Sequence, residues 1–378
     1  MRILLVTNYK EDDQKSMLRF GKLLASNLLK NGIELSEVFP KSNIRRFCFG
    51  SKLRKWAGYL DKYFLFEKEL DSVFKDKSFD LIHIVDHSNS IYLPKLSRLT
   101  KVPKVTTCHD MIAILSALGE FPLAPVTSRT GQRLQKWIET SLKESDFYVC
   151  DSKQTQSDLI KIIPESQDRT KVIHLGVTQI QSKKNKNPKF DFQMNRYALH
   201  VGSGSWYKNR KGVLESFKFH QEKSGNCNDK LILVGPEIQN HEVNNELSNW
   251  IRNNKNKLII IPKISDEDLH SLYQRAALLI FPSFIEGYGW PPLEAYANSC
   301  PSVTTKTGAI FEVLKENAFY VDPNNQRELN LTVQKNLLHK NKKDFTNPLP
   351  TNEECAQEYA LFYKKVLGLK TFTNSFHR

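Results

Sequence analysis

Phe281-Pro-Ser-Phe-Ile-Glu-Gly-Tyr-Gly-Trp-Pro-Pro-Leu-Glu-Ala295 is the stretch whose reading decides the fold. It parses as a buried strand from Ala277 to Phe281, a glycine-rich loop, and a helix opened by Pro291 and Pro292. Proline suits a first helical turn, where the backbone amides have no intrahelical partner. Those unpaired amides and the helix dipole make that end attractive to anions. Gly287 and Gly289 allow the backbone to approach a ligand. Glu286 and Glu294 flank the loop with seven residues between them. Carboxylates beside an anion site make sense when they accept hydrogen bonds from hydroxyls. A nucleotide-diphosphate sugar, with phosphates in the middle and hydroxyls at both ends, fits this pattern.

Outward from this stretch, strand and helix patterns alternate along the chain, which predicts parallel sheets covered on both faces. The first half offers strands at Ile3–Val6, Leu35–Phe39, Leu81–Val85, Lys104–Cys108, Phe147–Cys150 and Val172–Leu175, with helices such as Met17–Lys30 closed by Asn31-Gly32. Residues 181–195 open on a polar, charged run and read as a linker. Alternation then restarts with strands at Tyr197–Val201, Leu231–Val234, Leu258–Ile261, Leu278–Phe281, Ser302–Thr304 and Phe319–Val321. The expected fold class is α/β with two doubly wound Rossmann-like domains, 1–180 and 196–352, followed by a C-terminal helix and tail at 353–378. In such sheets ligands lie beyond the C-terminal ends of the strands, here in a cleft that the two domains face.

The second domain opens with Leu199-His-Val-Gly-Ser-Gly-Ser-Trp-Tyr-Lys-Asn-Arg-Lys-Gly-Val213. Gly202, Ser203 and Gly204 form a turn after the strand, and a helix is expected near Gly212, with Arg210 and Lys211 beside the ligand. Two fixed cations would neutralise a departing diphosphate; a solvated basic loop is the plainer reading. His109 follows the strand Lys104–Cys108 and is placed to orient a hydroxyl or pass a proton, unless it is a core or capping histidine. Ser265-x-x-Asp268 is a capping pattern after the Leu258–Ile261 strand. No His/Asp/Glu spacing suggests a metal, and the six cysteines are scattered with no C-x-x-C pair, which suits a reducing cytoplasm.

The Glu286–Ala295 segment resembles the donor-site signature of retaining GT-B glycosyltransferases of family 4, E-G-[FY]-G-x-P-x-x-E-A. The match falls on Glu286, Gly287, Tyr288, Gly289, Pro291, Glu294 and Ala295. The resemblance implies metal-independent transfer of a hexose from a nucleotide-diphosphate sugar to an acceptor hydroxyl on a sugar, glycan or lipid-linked carrier, with no cofactor. It implies that Glu286 takes sugar hydroxyls, that amides of Gly287 to Trp290 hold sugar and phosphate, and that Glu294 binds the ribose. Lys211 matches the family lysine before the helix, while Ser203 stands where the family has an arginine, so Arg210 is the substitute guanidinium. The resemblance also implies that His109 lies near donor sugar or acceptor, and that backbone at Pro262 to Ile264 holds the base. By the same resemblance the first domain is expected to be the acceptor side and the second the donor side, with the last helix crossing back to the first domain. One departure is the loop Asn8–Gln14, which lacks the glycines common in relatives and is expected to face the acceptor.

The chain carries a net charge of +14 spread over both halves, without zinc-finger, RNP or zipper motifs, so nucleic acid is not an expected partner. Residues 41–64 hold seven Lys/Arg against one Asp, with aromatics interleaved. Two readings stand: a helix that lies on an anionic membrane, placing a cytoplasmic protein peripherally on its inner face, or an ordinary surface helix whose aromatics enter the core. No run of eighteen apolar residues is present. A sugar-nucleotide epimerase, a non-catalytic binder and a nucleic-acid-binding protein are the competing functions; none but the first would need the Glu286–Glu294 loop.

Overall fold

The computed structural model describes residues 1–12, 14–177, 196–225, 228–239, 242–338, 345 and 347–368. The segment 181–195 read as a linker lies outside the described residues. The chain forms two compact units: Met1–Glu120 with Val126–Gly176 and the segment from Asn352, and Phe121–Pro125 with Val177–Thr351.

The first unit is built on six parallel strands, β1 (Arg2–Val6), β2 (Glu34–Val38), β3 (Leu81–Ile84), β4 (Lys104–Cys108), β5 (Phe147–Cys150) and β6 (Thr170–Val172), in the order β2-β1-β3-β4-β5-β6. β3 and β4 are buried along their whole length, as continuous apolar and β-branched runs require when helices cover both faces. Helix α1 (Lys15–Lys30) ends at Asn31, and Gly32 follows with φ +73°, the left-handed conformation that glycine adopts without a Cβ penalty. Strand β6 starts two residues earlier than its apolar run, pairing Thr170 with Tyr148 at the sheet edge, where one-sided packing weakens the hydrophobic signal. Helix α2 (Ser51–Leu60) runs through a π-turn at Asp61–Leu65 into α3 (Phe66–Asp76). Then follow α4 (Leu93–Leu99), α5 (Ile112–Ala117), α6 (Arg129–Leu142) and α7 (Lys153–Ile162).

The second unit repeats the plan: β7 (Tyr197–Val201), β8 (Lys230–Val234), β9 (Leu258–Ile261), β10 (Leu278–Phe281), β11 (Ser302–Thr304) and β12 (Phe319–Tyr320) in the order β12-β11-β10-β7-β8-β9. Its helices are α8 (Arg210–Lys223), α9 (Asn245–Asn253), α10 (Asp266–Arg275), α11 (Trp290–Ala297), α12 (Ile310–Leu314) and α13 (Gln326–Leu338). Leu231, Leu233, Leu278, Ile280 and Val303 of the sheet meet Phe217 of α8 and Leu329 and Val333 of α13 in one core. The strand order reverses between β7 and β10, so the loops after these two strands diverge to opposite faces and leave a crevice.

The last helix, α14 (Asn352–Val366), belongs to the first unit, as the family resemblance implied. Its hold is polar as well as apolar. Tyr363 Oη is 2.7 Å from His83 Nδ1, His83 Nε2 is 2.8 Å from Thr107 Oγ1, and that hydroxyl is 2.9 Å from Tyr359 Oη. All four residues are fully buried. Burial pushes the His83 pKa down from 6.5 to about 3. The unfolded chain takes up that proton near 6.5, so the stability this histidine contributes is complete above that pH and is lost as pH falls toward 3. Replacing Tyr363 by Phe leaves the His83 ring nitrogen without its buried partner, a loss of about 1–3 kcal/mol. Urea unfolding of Tyr363→Phe is expected to show it; an unchanged midpoint would mean that α14 is not anchored through this chain of bonds.

Candidate functional site

At the reversal point, β7 runs into Gly202-Ser-Gly-Ser205, a single 3-10 turn at Trp206–Lys208, and Asn209. Asn209 sits at φ +50° and caps α8: its Oδ1 accepts from the Gly212 amide at 3.1 Å. A Cβ on Gly212 would lie 2.8 Å from that side chain, so glycine at the third helical position makes room for the cap. The Asn209 Nδ2 donates to the Pro282 carbonyl at 3.1 Å and so ties the loop after β7 to the loop after β10. The Tyr207 carbonyl, accepting from Phe284 N–H at 2.8 Å, is a second tie.

The cap sets where α8 begins and which basic residues lie in the loop before it. Helix α8 begins at Arg210, two residues before the start expected from Gly212. Lys211 therefore lies in the first turn, with its side chain exposed and its Nζ 3.7 Å from Glu215 one turn on. Lys208, which the sequence reading passed over, is the lysine in the loop. Its Nζ donates to both oxygens of Glu286, at 2.7 and 2.9 Å, and lies 5.1 Å from the centre of the Phe281 ring. The readable signal was Asn209 itself, a preferred cap residue that sets the preceding lysine outside the helix.

Arg210 is buried, and burial lowers its pKa, with Glu242 pulling the other way. Its Nε is 3.2 Å from Glu242 Oε1 and its Nη2 donates to the Pro236 carbonyl at 3.0 Å. Its Nη1 has no hydrogen-bond partner among the described residues and would be 3.5 Å from a Cβ on Gly204. A buried, unpaired guanidinium nitrogen under a glycine turn is a donor in want of an acceptor. His200, also missed in the sequence, lies beneath the same turn. Its Nδ1 donates to the Ile280 carbonyl at 2.9 Å, and its unpaired Nε2 would be 3.0 Å from a Cβ on Gly202. Burial first, then the charges of Arg210 and Lys208 against the opposing Ile280 bond, lower its pKa to about 4, so at neutral pH this nitrogen is an acceptor.

On the β10 side, Glu286 is buried, and Thr307 Oγ1 accepts from its amide at 3.1 Å. Gly308, at φ +58°, brings its backbone so close that a Cβ would lie 2.7 Å from the Gly287 carbonyl. Gly287, Tyr288 and Gly289 are buried, Trp290 is half-buried, and α11 starts at Trp290 with prolines next. Glu294, in the second turn of α11, is buried and accepts from Tyr273 Oη at 3.1 Å. Ser203 is exposed. Pro262 and Ile264 follow the edge strand β9, two strands from β7, and Ser265 caps α10 by accepting from the Asp268 amide at 3.1 Å.

His109 belongs to the first unit, at the end of β4. Both its ring nitrogens are engaged there: Nε2 with the Val85 carbonyl at 2.9 Å and Nδ1 with Asp151 at 3.1 Å. Burial opposes its charge, but Asp151, Asp86 and the Val85 carbonyl outweigh it and raise its pKa. Burial raises Asp151 to about 6, against the lowering pull of His109. Nearby, Asn8 donates to Asp86, and the Asn8 Oδ1, His87 Nδ1 and Asn89 Nδ2 are buried without hydrogen-bond partners among the described residues. The Asn8–Gln14 loop is pinned by Glu11 to Arg45 and Arg54 and by Asp12 to Lys62, within the described residues. Among the described residues no group of three His, Cys, Asp or Glu side chains is placed to hold a metal ion.

Two family models match in tandem: Glycosyltransferase Family 4 at residues 22–179 and Glycosyl transferases group 1 at residues 181–347. With two Rossmann-like units and the donor signature in place, the chain belongs to the family-4 glycosyltransferases of GT-B fold. O-antigen chain mannosyltransferase B of Escherichia coli is 26% identical over 250 residues, 63% of this chain and 61% of that protein. O-antigen chain mannosyltransferase RfbU of Salmonella typhimurium is 26% identical over 198 residues, 50% of each. The chain thus spans between half and two thirds of the length of these curated relatives. In fold it is similar to sucrose-phosphate synthase of Thermosynechococcus elongatus, with TM-score 0.74, 14% identity, and coverage of 97% and 99% of the two chains. HepE of Anabaena, solved with UDP and glucose, gives TM-score 0.69 and 16% identity, with 96% and 99% covered.

In the loop after β10, Gly289, at φ +83°, has no room for a side chain: a Cβ would lie 2.4 Å from Ile310 Cγ1. Gly289→Ala is expected to cost about 1–3 kcal/mol through strain and overpacking. Denaturant unfolding checks this, and full tolerance of alanine would contradict the loop geometry.

Proposed function

We propose that this protein transfers a hexose from a nucleotide-diphosphate sugar to an acceptor hydroxyl on a sugar, glycan or lipid-linked carrier, with retention and without a metal ion. The observation that carries this reading is the Lys208–Glu286 pair beside the unpaired Arg210 Nη1, next to the N-terminus of α11. The pair satisfies both charges. On donor entry, Lys208 turns to the diphosphate and Glu286 is released to accept from the sugar hydroxyls. Arg210 Nη1 meets a phosphate oxygen, and Glu294 takes the ribose. Gly202 to Gly204 and the amides of Gly287 to Trp290 line the phosphate path, and backbone at Pro262 to Ile264 meets the base. The acceptor oxygen then bonds to the anomeric carbon as the bond from that carbon to the diphosphate breaks. The acceptor proton passes to the leaving phosphate oxygen, which gives the glycoside and free nucleoside diphosphate. Family membership supports this front-face course.

Mannose is the sugar we assign, supported by the two O-antigen mannosyltransferase relatives. A thermal-shift panel of nucleotide sugars checks the assignment, because a ligand that binds only the folded state stabilises it by mass action. A nucleotide-diphosphate mannose is expected to raise Tm most. A larger shift with the glucose or galactose donors would refute mannose, and conversion of donor without acceptor would point to the epimerase.

Lys208→Ala removes a charge-assisted contact that strengthens as the diphosphate departs, and turnover is expected to fall about 10²-fold, on the order of 3 kcal/mol. Lys211→Ala, which alters only an exposed helical pair, is expected to stay near wild type. The reverse ranking in steady-state kinetics would return the clamp to Lys211. Transfer is expected to survive EDTA; loss of activity restored by Mg²⁺ or Mn²⁺ would overturn the cationic-loop account.

A further inference from the structure

Helix α2 exposes what amphipathic helices in globular units bury. Of its described side chains only Ala57 and Gly58 are buried. Phe47, Phe49, Leu53, Trp56, Leu60 and Phe64 are between 44% and 87% exposed. Leu53, Trp56 and Leu60 share one helical face by their spacing, and the π-turn at Asp61–Leu65 carries the helix on to Phe64. The preceding loop is fixed beside the helix. Buried Asp61 accepts from the Ile44 and Arg45 amides, at 2.8 and 3.1 Å, which holds the loop carrying Phe47 and Phe49. Rings continue along the flank: Trp56 on Tyr59, Tyr59 on Tyr63, and Tyr63 on Trp137, with centroids 5.8, 5.6 and 5.2 Å apart.

The charges around this patch identify what covers it. Arg45, Arg54 and Lys62 are offset by Glu11 and Asp12, and Lys41 is paired with Glu69. Arg46 and Lys55 have no carboxylate partner among the described residues; they lie over the Phe47 and Tyr59 rings. A protein partner with an apolar groove would fit the stripe alone. An apolar stripe with a Trp/Tyr flank and basic residues at its edge fits the headgroup region of an anionic bilayer. No helix among the described residues is long and apolar enough to cross a membrane, so this face would lie on it.

We infer that residues 44–64 dock this protein on the surface of an anionic phospholipid bilayer, with the Phe47–Phe49 loop and the Leu53/Trp56/Leu60/Phe64 face entering the interface. The inference stands on this surface alone and not on the donor site. Full-length protein is sedimented with phosphatidylcholine vesicles with and without phosphatidylglycerol, at low and high salt. Wild type is expected in the pellet with phosphatidylglycerol, less so as salt screens the attraction. Trp56→Ser with Leu60→Ser alters exposed positions and is expected to weaken partitioning about tenfold or more. Arg46→Glu with Lys55→Glu is expected to weaken it and flatten its salt dependence. Wild type that stays in the supernatant, or a serine variant that binds as wild type does, overturns the inference. So does a lipid-free dimer, seen by light scattering, that the serine variant dissociates, since the face would then belong to a second copy. Nucleoside diphosphate binding, measured on the same proteins, separates a failure here from a failure of the donor reading.

Discussion

Asn209 is the side chain on which the crevice of the second unit depends. A parallel sheet that grows both ways from β7 and β10 necessarily sends its next two loops apart. Something must then fix those loops relative to one another. Asn209 does so with two bonds, one capping α8 and one reaching the Pro282 carbonyl. Its left-handed backbone, unusual for a side-chain-bearing residue, is offset by these bonds. From that joint follow the start of α8, the burial of Arg210 in its first turn, and the position of Lys208 over Phe281 beside Glu286.

The site's electrostatics are arranged around cations that have somewhere else to go. Glu242 and the Pro236 carbonyl hold one side of Arg210 and leave Nη1 unpaired. Lys208 is held by Glu286 alone among carboxylates of the described residues, in a half-buried setting. His200 is kept neutral by burial and by these two cations, so it adds no third charge beneath the glycine turn. The first unit uses the same fold differently. Its buried polar cluster at Asn8, Asp86, His87 and Asn89 lies at the ends of β1 and β3, where its own strand order reverses.

Most strands were legible because parallel sheets need uninterrupted apolar runs, and β4, β5, β7, β9, β10 and β11 fall where those runs lie. Caps at Ser265 and Asn31 were legible for the same local reason. Lys208 was not, because Arg210, Lys211 and Gly212 suggested a later helix start, and only the asparagine cap resolves it. His200 reads as an ordinary strand residue; its role appears only when Gly202 is seen to pass over its ring. His109 lies at the strand end where the sequence placed it, and its bond to Asp151, 42 residues on, is a contact between distant positions that the sequence does not display. The aromatics of 41–64 left two readings open, since composition cannot say which way a helix faces; here Phe47, Phe49, Trp56 and Phe64 face outward.

The central claim is that Glu286 and Glu294 meet opposite ends of one donor. Calorimetric titration of free nucleoside diphosphate into Glu286→Gln and Glu294→Gln tests it most directly, because that product keeps the ribose and lacks the sugar. A hydrogen bond to a charged group contributes roughly 1.5–3 kcal/mol. The account predicts that Glu294→Gln loses affinity on that order, whereas Glu286→Gln binds the diphosphate nearly as wild type does. Loss in Glu286→Gln with retention in Glu294→Gln would contradict the assigned orientation.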